Sequence, residues 1–561
     1  MQGMEEAGSA RRRSDGDARA IGARRLVSGD EAVAAAARDA GVHLGTGYPG
    51  TPSTEILQVF HELGGRAQWA PNEKVALEVG IGAAFGGARA LVTMKHVGLN
   101  VAADPLFTAA YTGVTGGLVI ISADDPGMAS SQNEQDNRRY AVAAGLPMLE
   151  PSDSQEAYDL TIAAFELSER WKLPVLLRMT TRVCHSKTIL TRRADVPAPA
   201  APAFQRDIAS RVMIPAYARP AHRRLRKKLD EIQAWAEKAP EAAVEKRAGA
   251  ELGIITAGVT ARHAAEAAPR ASLLELKLLH PLPLERIRAF ARSVARCVVV
   301  EEGDPCFAEA LAAAGIQVEA KDASFRFGEL SVERVRRILA NDRSPEPELP
   351  KGKPPQLCEA CPYHPVYGTL KKLDCIVAGD IGCYTLGVLP PYQGMDTCVA
   401  MGASLGVGLG LRHVLPEKDA KRVVSIIGDS TFVHTGVNGL IEMIYNPPAT
   451  GHVLVVLDNG TTAMTGQQEH PGTGRSLGHE PTGKLSIEGL ARALGVANVH
   501  VVDPVPDPGA FEKVLVESLS KPELTVIVAR RPCILAAADI RKYEKAADAK
   551  RAVSACEVQN G

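Results

Sequence analysis

The sequence predicts an α/β protein: two domains built on parallel sheets, with a smaller α/β domain between them. Three observations carry that prediction. Short apolar runs of strand type alternate with helical patterns along most of the chain, which is how βαβ units read in sequence. Two Pro-rich stretches, ADVPAPAAPAF (194–204) and NDRSPEPELPKGKPP (341–355), interrupt the alternation. A chain of 561 residues also exceeds what one hydrophobic core serves.

Residues 1–22, rich in Arg, Gly, Ala and Asp, have little to bury and are expected to form a disordered tail. From 23 to 193 the helical patterns DEAVAAAARDAG, KVALEVGIGAAFGGA and EAYDLTIAAFELSERW interleave with strands in VHLGTGYPG, ALVTMK, GGLVIISADD and PVLLRMTT. Residues 194–250 read as an extended linker followed by a charged segment, RRLRKKLDEIQAWAEKAPEAAVEKRAG. Its mixed acids and bases suit a solvated helix rather than a nucleic-acid patch. The smaller α/β domain spans 251–345, with LGIITAG, TARHAAEAA, LLELKLL and RCVVVEEGD, and 346–356 links it to the last domain. That domain, 357–540, contains the strands CIVAGDIG, RVVSIIGDS, HVLVVLDN and LTVIVARR, and 541–561 is expected to be a loose polar tail.

Composition excludes several function classes. With 64 basic and 65 acidic residues the formal net charge is -1, so no global field gathers nucleic acid or an anionic membrane. Ten scattered cysteines suit free thiols in a reducing cytoplasm. No apolar run reaches the 18 residues of a membrane span, and the N-terminus lacks a signal core. Small-molecule chemistry in the cytoplasm is the expectation.

The chemistry starts at SIIGDSTFVHTG, 425–436. RVVSII runs into GDS, a helix is expected over TGVNGLIEMIY, and HVLVVL then runs into DNGTTAMTG: one βαβ unit, whose two strand ends share one edge of the sheet. Asp429 leaves the first strand and Asn459 the second, with 29 residues between them, so their side-chain oxygens converge in the crevice where open α/β sheets bind ligands. Oxygen donors without a His or Cys partner describe a hard cation such as Mg²⁺, which usually accompanies phosphate. Gly428, Gly436, Gly439 and Gly460 are expected to allow close backbone approach, and a helix start between Ser430 and Thr435 to offer N–H groups to an anion. Either motif alone is an ordinary helix cap or tight turn; the pair at this spacing is what points to a metal.

The wider wording, GDIGCYTLGVLPPYQGMDTCVAMGAS with GDSTFVHTGVNGLIEMIYN and LDNGTTAMTGQQEHPGTG, resembles the alpha subunits of indolepyruvate ferredoxin oxidoreductases. GYPGTPSTEI (47–56), NEKVALEVGIGAAFGGARALVTMKHVGLNVAADPL (72–106) and ADDPGMASSQNEQD (123–136) extend the resemblance over roughly 25–535. It implies a thiamine diphosphate-binding fold: a pyrimidine-type and a diphosphate-type domain with a transketolase C-terminal-like domain between them. It implies thiamine diphosphate with Mg²⁺ held by Asp429, Asn459 and the backbone carbonyl of Thr461. By the same match Asp380, Ile381, Gly382, Met401, Gly402, Gly428, Ser430 and Thr465 contact the cofactor, and Cys361 and Cys383 line its thiazolium.

Thiamine enzymes need a carboxylate on N1′ of the aminopyrimidine to help remove the C2 proton. Glu73 and Glu78 are the candidates; five residues apart, they stand about 140° around a helix and cannot both face the cofactor. Glu73 is preferred because it directly follows the strand RAQWA and opens the next helix, while Glu78 reads as an ordinary helix residue. Tyr48, Gly50, Thr51, Pro52 and Ser53 form a turn at a strand end where Thr51 can hydrogen-bond the carboxylate of a 2-oxo acid, as the same turn does in the resembled family. Lys95 and His96 leave the strand ALVTM at a carboxyl edge, facing either substrate or solvent.

CEACPYH (358–364) lacks a second Cys pair, which argues against structural zinc. Here Glu359-Ala360 stands between the cysteines where the family has Pro-Gly, and Tyr363-His364 replaces its His-Arg. The family's repeated cysteine runs for four-iron clusters do not follow RRPCIL, so no iron–sulfur cluster is expected in this chain. The implied reaction is oxidative decarboxylation of an arylpyruvate-like acid, with CoA taking the acyl group. The implied partners are a gamma-type beta subunit, a separate redox carrier and a second copy of this chain. A non-oxidative thiamine decarboxylase or carboligase is the alternative.

Overall fold

The computed structural model describes residues 24–346 and 355–546. Of the sequence expectations, the tail at 1–22 and most of the 346–356 linker lie outside these residues. The chain divides into two compact units, one of residues up to 67 together with 77–344, the other of 68–76 together with 345 onward.

The first unit holds the predicted parallel sheet. Its strand order is Leu278–His280, Met148–Leu149, Val175–Thr180, Leu118–Asp124, Ala90–Lys95, Leu44–Gly47 and Ala67–Trp69, the unit boundary falling within the last. The central strands Leu118–Asp124 and Val175–Thr180 are buried along their whole length, which is why they read as unbroken apolar runs rather than alternating ones. Helix Gly29–Asp39 opens with a capping box: the Ser28 hydroxyl accepts from the Glu31 amide and the Glu31 carboxylate accepts from the Ser28 amide. The smaller α/β domain, in the same unit, is a four-stranded sheet ordered Arg296–Val300, Leu252–Ala257, Ser272–Leu276, Ala243–Lys246. A buried ion pair runs from one domain to the other, Arg138 to Glu301, while Asp136 holds Arg138 from within its own domain. A buried pair of this kind fixes register more than it adds stability.

Three local expectations are revised. LLELKLL splits between sheets: Ser272–Leu276 stays in the smaller domain, and Leu278–His280 pairs antiparallel with Met148–Leu149 in the large sheet. The segment 194–250 contains helix Pro215–Ala236, which buries Leu225, Leu229 and Ile232 along one face, and also the strand Ala243–Lys246, which completes the smaller sheet. At the C-terminal side, residues 541–546 are helical rather than loose, and the Tyr543 ring stacks on His479 at 4.5 Å.

The second unit carries a six-stranded, all-parallel sheet in the order Thr397–Cys398, Ile376–Gly379, Val423–Gly428, His452–Asp458, Leu524–Arg530, Asn498–Val502. Val423–Gly428 and His452–Asp458 are hydrogen-bonded neighbours in parallel register, Gly428 opposite Leu457. Their ends therefore emerge side by side at the carboxyl edge.

Candidate active site

Asp429 and Asn459 leave these adjacent strands, and their loops are latched together. Asp429 is buried; one carboxylate oxygen accepts from its neighbour Ser430 N–H at 2.9 Å, the other from Gly460 N–H at 2.9 Å. The Asn459 side-chain oxygen accepts from Thr461 N–H at 3.1 Å, and the Thr462 hydroxyl donates to Ser430 Oγ at 2.9 Å. Asp458 lies beside Asp429, and its carboxyl is held above the usual range, by burial first and by the Asp429 charge second. Arg530 pairs with Asp458 at 2.7 Å. Two adjacent carboxylates, an amide oxygen and one cation directed at Asp458 are a donor set that fits a hard divalent ion.

One expectation fails at this edge. Asp429 does have a histidine neighbour: Nε2 of the buried His470 stands 3.2 Å from its carboxylate, close but without the alignment of a hydrogen bond. The segment EHPGTG brings it there from a part of the loop whose spacing gave no sign of it.

The helix after the first strand also differs. It begins at Asp429, capped by Gly428, so Ser430 and Thr431 lie inside its first turn. It then passes through a π-helical turn, Phe432–Gly436, before the helix Val437–Tyr445. Such turns displace one residue from the regular ladder and concentrate at functional sites. Here the displaced residue of interest is His434, buried, with Nε2 2.7 Å from the Glu73 carboxylate. The Asn72 side-chain amide donates to the His434 carbonyl at 2.9 Å, and its oxygen accepts from Val75 N–H, closing the turn that leads into the helix Glu73–Phe85. Glu73 thus opens that helix after the strand Ala67–Trp69 and is 5% exposed, while Glu78 stands on an exposed face. The contact continues from His434 Nδ1 to the Thr435 hydroxyl, 3.2 Å, which donates to the Met401 carbonyl at 2.7 Å.

The glycines serve packing more than ligand access. A Cβ on Gly428 would stand 2.7 Å from the Tyr384 ring, one on Gly436 2.7 Å from Ile427, and one on Gly439 2.7 Å from Leu405. Gly460, at φ 72°, has Ile540 at ordinary contact distance, 3.5 Å from where a Cβ would stand, and its backbone conformation favours glycine. Gly402, at φ 83°, is overlain by the Thr435 side chain.

Asp380 is spent on the backbone. Its oxygens accept from the amides of Ile381, Gly402 and Ser404, which joins the Gly379–Gly382 corner to the helix Ala403–Val414. Burial holds its carboxyl above the ordinary range despite those bonds. Thr431 donates to the Ile381 carbonyl at 3.1 Å, so both loops are tied to the Asp429 turn. Thr465 donates to the Gln468 side chain at 2.6 Å. Cys361 and Cys383 are half-buried, their thiols pushed up to about 11 chiefly by burial, and therefore protonated at neutral pH. They offer neutral walls rather than nucleophiles. The departures in CEACPYH have structural uses: His364 bonds the Tyr392 hydroxyl at 2.9 Å and the Cys358 carbonyl at 2.8 Å, and the buried Tyr363 hydroxyl is pushed up by burial and the Asp429 charge.

In the first unit the Gly50–Ser53 turn is closed by Ser53 N–H to the Gly50 carbonyl, 2.9 Å, and a Cβ on Gly50 would meet Lys95 Cβ at 2.9 Å. Gly50, next to Thr51 in the turn, and Lys95 are therefore neighbours. Lys95 donates to the Ser130 carbonyl at 2.8 Å, and burial lowers its pKa to about 8 against the opposing charge of Asp125. His96 is fully buried, with Nε2 at 3.2 Å from the Asn133 carbonyl and Nδ1 without a hydrogen-bond partner, so it does not face solvent.

Residues 380–529 match the thiamine pyrophosphate enzyme C-terminal TPP-binding domain, and residues 35–226 match the thiamine diphosphate-binding domain of pyruvate flavodoxin/ferredoxin oxidoreductases. Fold and site together define a thiamine diphosphate-dependent 2-oxoacid oxidoreductase. Among curated relatives, indolepyruvate oxidoreductase subunits IorA of Methanothermobacter thermautotrophicus and Archaeoglobus fulgidus are each 38% identical over 94% of this chain and 89% of theirs. That of Pyrococcus abyssi is 37% identical over 92% of this chain and 86% of its own. The chain belongs to the family of indolepyruvate oxidoreductase IorA subunits.

Proposed function

We propose that this chain is the thiamine-bearing subunit of an enzyme that oxidatively decarboxylates an arylpyruvate-type 2-oxo acid to its acyl-CoA. The observation that carries the reading is the latched pair Asp429–Asn459 at neighbouring strand ends, in the same compact unit as a buried, histidine-supported Glu73. Asp429, Asn459 and the Thr461 carbonyl would hold Mg²⁺, and the metal in turn the diphosphate. Bound thiamine diphosphate supplies a nucleophilic carbon for the keto group and an electron sink for the loss of CO₂.

The protein's own part is positioning and proton transfer. Glu73 moves a proton at the aminopyrimidine N1′, and His434 fixes the orientation of that carboxylate. Cys361 and Cys383 keep the reacting carbon away from water. Thr51 is proposed to take the carboxylate of the 2-oxo acid, with Lys95 packed against the same turn at Gly50.

Removal of two electrons needs an acceptor. We therefore assign the electrons to a partner that carries the redox centre, with a gamma-type beta subunit and a second copy of this chain completing the assembly. The relatives' names support the substrate class.

A panel of indolepyruvate, phenylpyruvate, pyruvate and 2-oxoglutarate, with CoA and a viologen dye, tests this on the natively co-purified complex. Dye reduction with the aryl acids, dependent on CoA, is the expected result. Aldehyde or acyloin formed without any acceptor would replace it with the non-oxidative reading.

A further inference from the structure

We infer that Asp30, Glu55 and His185 form a binding site for a divalent first-row transition-metal ion. The three come from separate elements of the first unit: Asp30 from the first turn of helix Gly29–Asp39, Glu55 from the first turn of helix Thr54–Glu62, His185 from the end of helix Thr181–His185. One ligand atom from each lies within 4.8 Å of the other two.

Asp30 makes this more than a chance meeting of polar groups. It is 1% exposed, and neither of its carboxylate oxygens makes a hydrogen bond of good geometry, the Cys184 thiol and the Glu55 carboxyl being its close polar neighbours. A buried carboxylate left without a partner is costly, and a second carboxylate within reach makes it more so. Besides His185, the groups that act most strongly on Asp30 are the buried Cys184 thiol and the Glu55 and Glu31 carboxyls. Glu31 is already engaged in the capping box with Ser28. Two helix N-termini lend some positive potential, but a bound cation would satisfy both carboxylates directly.

The donor set selects the ion. Two carboxylate oxygens with one imidazole nitrogen suit a borderline ion such as Zn²⁺ or Mn²⁺, whereas Mg²⁺ prefers oxygen alone. Asp30 would be the inner anchor. Glu55 and His185 reach it from the surface, leaving the remaining coordination positions to water. Helix Thr54–Glu62 starts directly after the Gly50–Ser53 turn, so an ion here would tie that turn to two other helices of the unit.

The simpler arrangement is an Asp30–Glu55 pair that shares a proton and binds nothing. Calorimetric titration of Zn²⁺, and separately Mg²⁺, into the EDTA-treated, thiamine-free full chain distinguishes them. One Zn²⁺ per chain is expected, with binding that millimolar Mg²⁺ does not displace. Glu55→Gln and His185→Gln, both at exposed positions, should each weaken Zn²⁺ by at least the roughly tenfold that even supporting residues are worth at metal sites. Zn²⁺ should also raise the melting temperature of the parent and not of the variants. No binding, displacement by Mg²⁺, or equal affinity in the parent and both variants would overturn the site and leave the shared proton.

Discussion

The two carboxyl edges to which we assign the chemistry of this chain are built in opposite ways. At the edge of the second unit, Asp429 and Asn459 are latched to backbone amides and crowded by Asp458, so negative charge is concentrated where the strands end. At the edge of the first unit, the strand Ala90–Lys95 ends in an ammonium, and Lys95 lies against the Gly50 turn with its charge partly desolvated. The same topology thus offers one edge suited to a cation and one suited to a carboxylate. What differs is only the residue that leaves each strand, which shows how little of an α/β site is set by the fold itself.

The comparison breaks most sharply at Glu73. Replacing it with Gln keeps the shape and removes the proton acceptor, so kcat should fall by about 10²- to 10⁴-fold, the usual worth of a general acid–base group. Glu78→Gln, on the exposed face of the same helix, should stay within about twofold by the same reasoning. Equal effects of the two would show that the carboxylate has been misassigned. His434→Ala comes next. A hydrogen bond to a charged group is worth about 1.5–3 kcal/mol, so kcat should drop by roughly ten- to a hundredfold with little change in KM.

Lys95 sharpens the other edge. Its folded pKa of about 8 lies below the ordinary value of 10.5, so the charged form is the penalised one. That penalty is complete below about pH 8 and is relieved as pH rises from there toward 10.5. Lys95→Met should therefore be the more stable protein at pH 7, with the difference closing by pH 10.5, as thermal melts across that range would show. In the parent, kcat/KM for the 2-oxo acid should decline as pH rises through about 8, and that limb should be absent from the variant.

Much of this was legible in the sequence because it depends on short-range pattern. The strands at 118–124, 175–180, 423–428 and 452–458 are unbroken apolar runs, and a buried parallel strand has no other way to read. Asp429 and Asn459 followed from two such strands with one helix between them. Glu73 followed from its place between strand and helix. His434 and His470 did not, since their partners stand 361 and 41 residues away in the chain and only tertiary packing brings them together. The segment HTG read only as the start of a helix, with nothing in it to mark His434.

Gly428, Gly436 and Gly439 were read as room for a phosphate, and they are room for Tyr384, Ile427 and Leu405. A glycine in sequence announces that something approaches closely; it does not say whether that is a ligand or a neighbouring side chain. His96 was open to solvent as the sequence reads and is buried in the fold, where the Asn133 carbonyl stands 3.2 Å from its Nε2 and the Asn137 side chain donates to its carbonyl. The short strands Met148–Leu149 and Leu278–His280 are below the length at which alternation can be recognised.

The account rests on the cation edge, and calorimetry of thiamine diphosphate binding tests it most directly. The full chain should bind one thiamine diphosphate in the presence of Mg²⁺ and bind it far more weakly in EDTA. Asp429→Ala should lose about a hundredfold in that affinity, ~2.8 kcal/mol, while Lys95→Met, at the other edge, should keep it. Binding that is indifferent to Mg²⁺, or an Asp429→Ala chain that binds as tightly as the parent, would contradict the account.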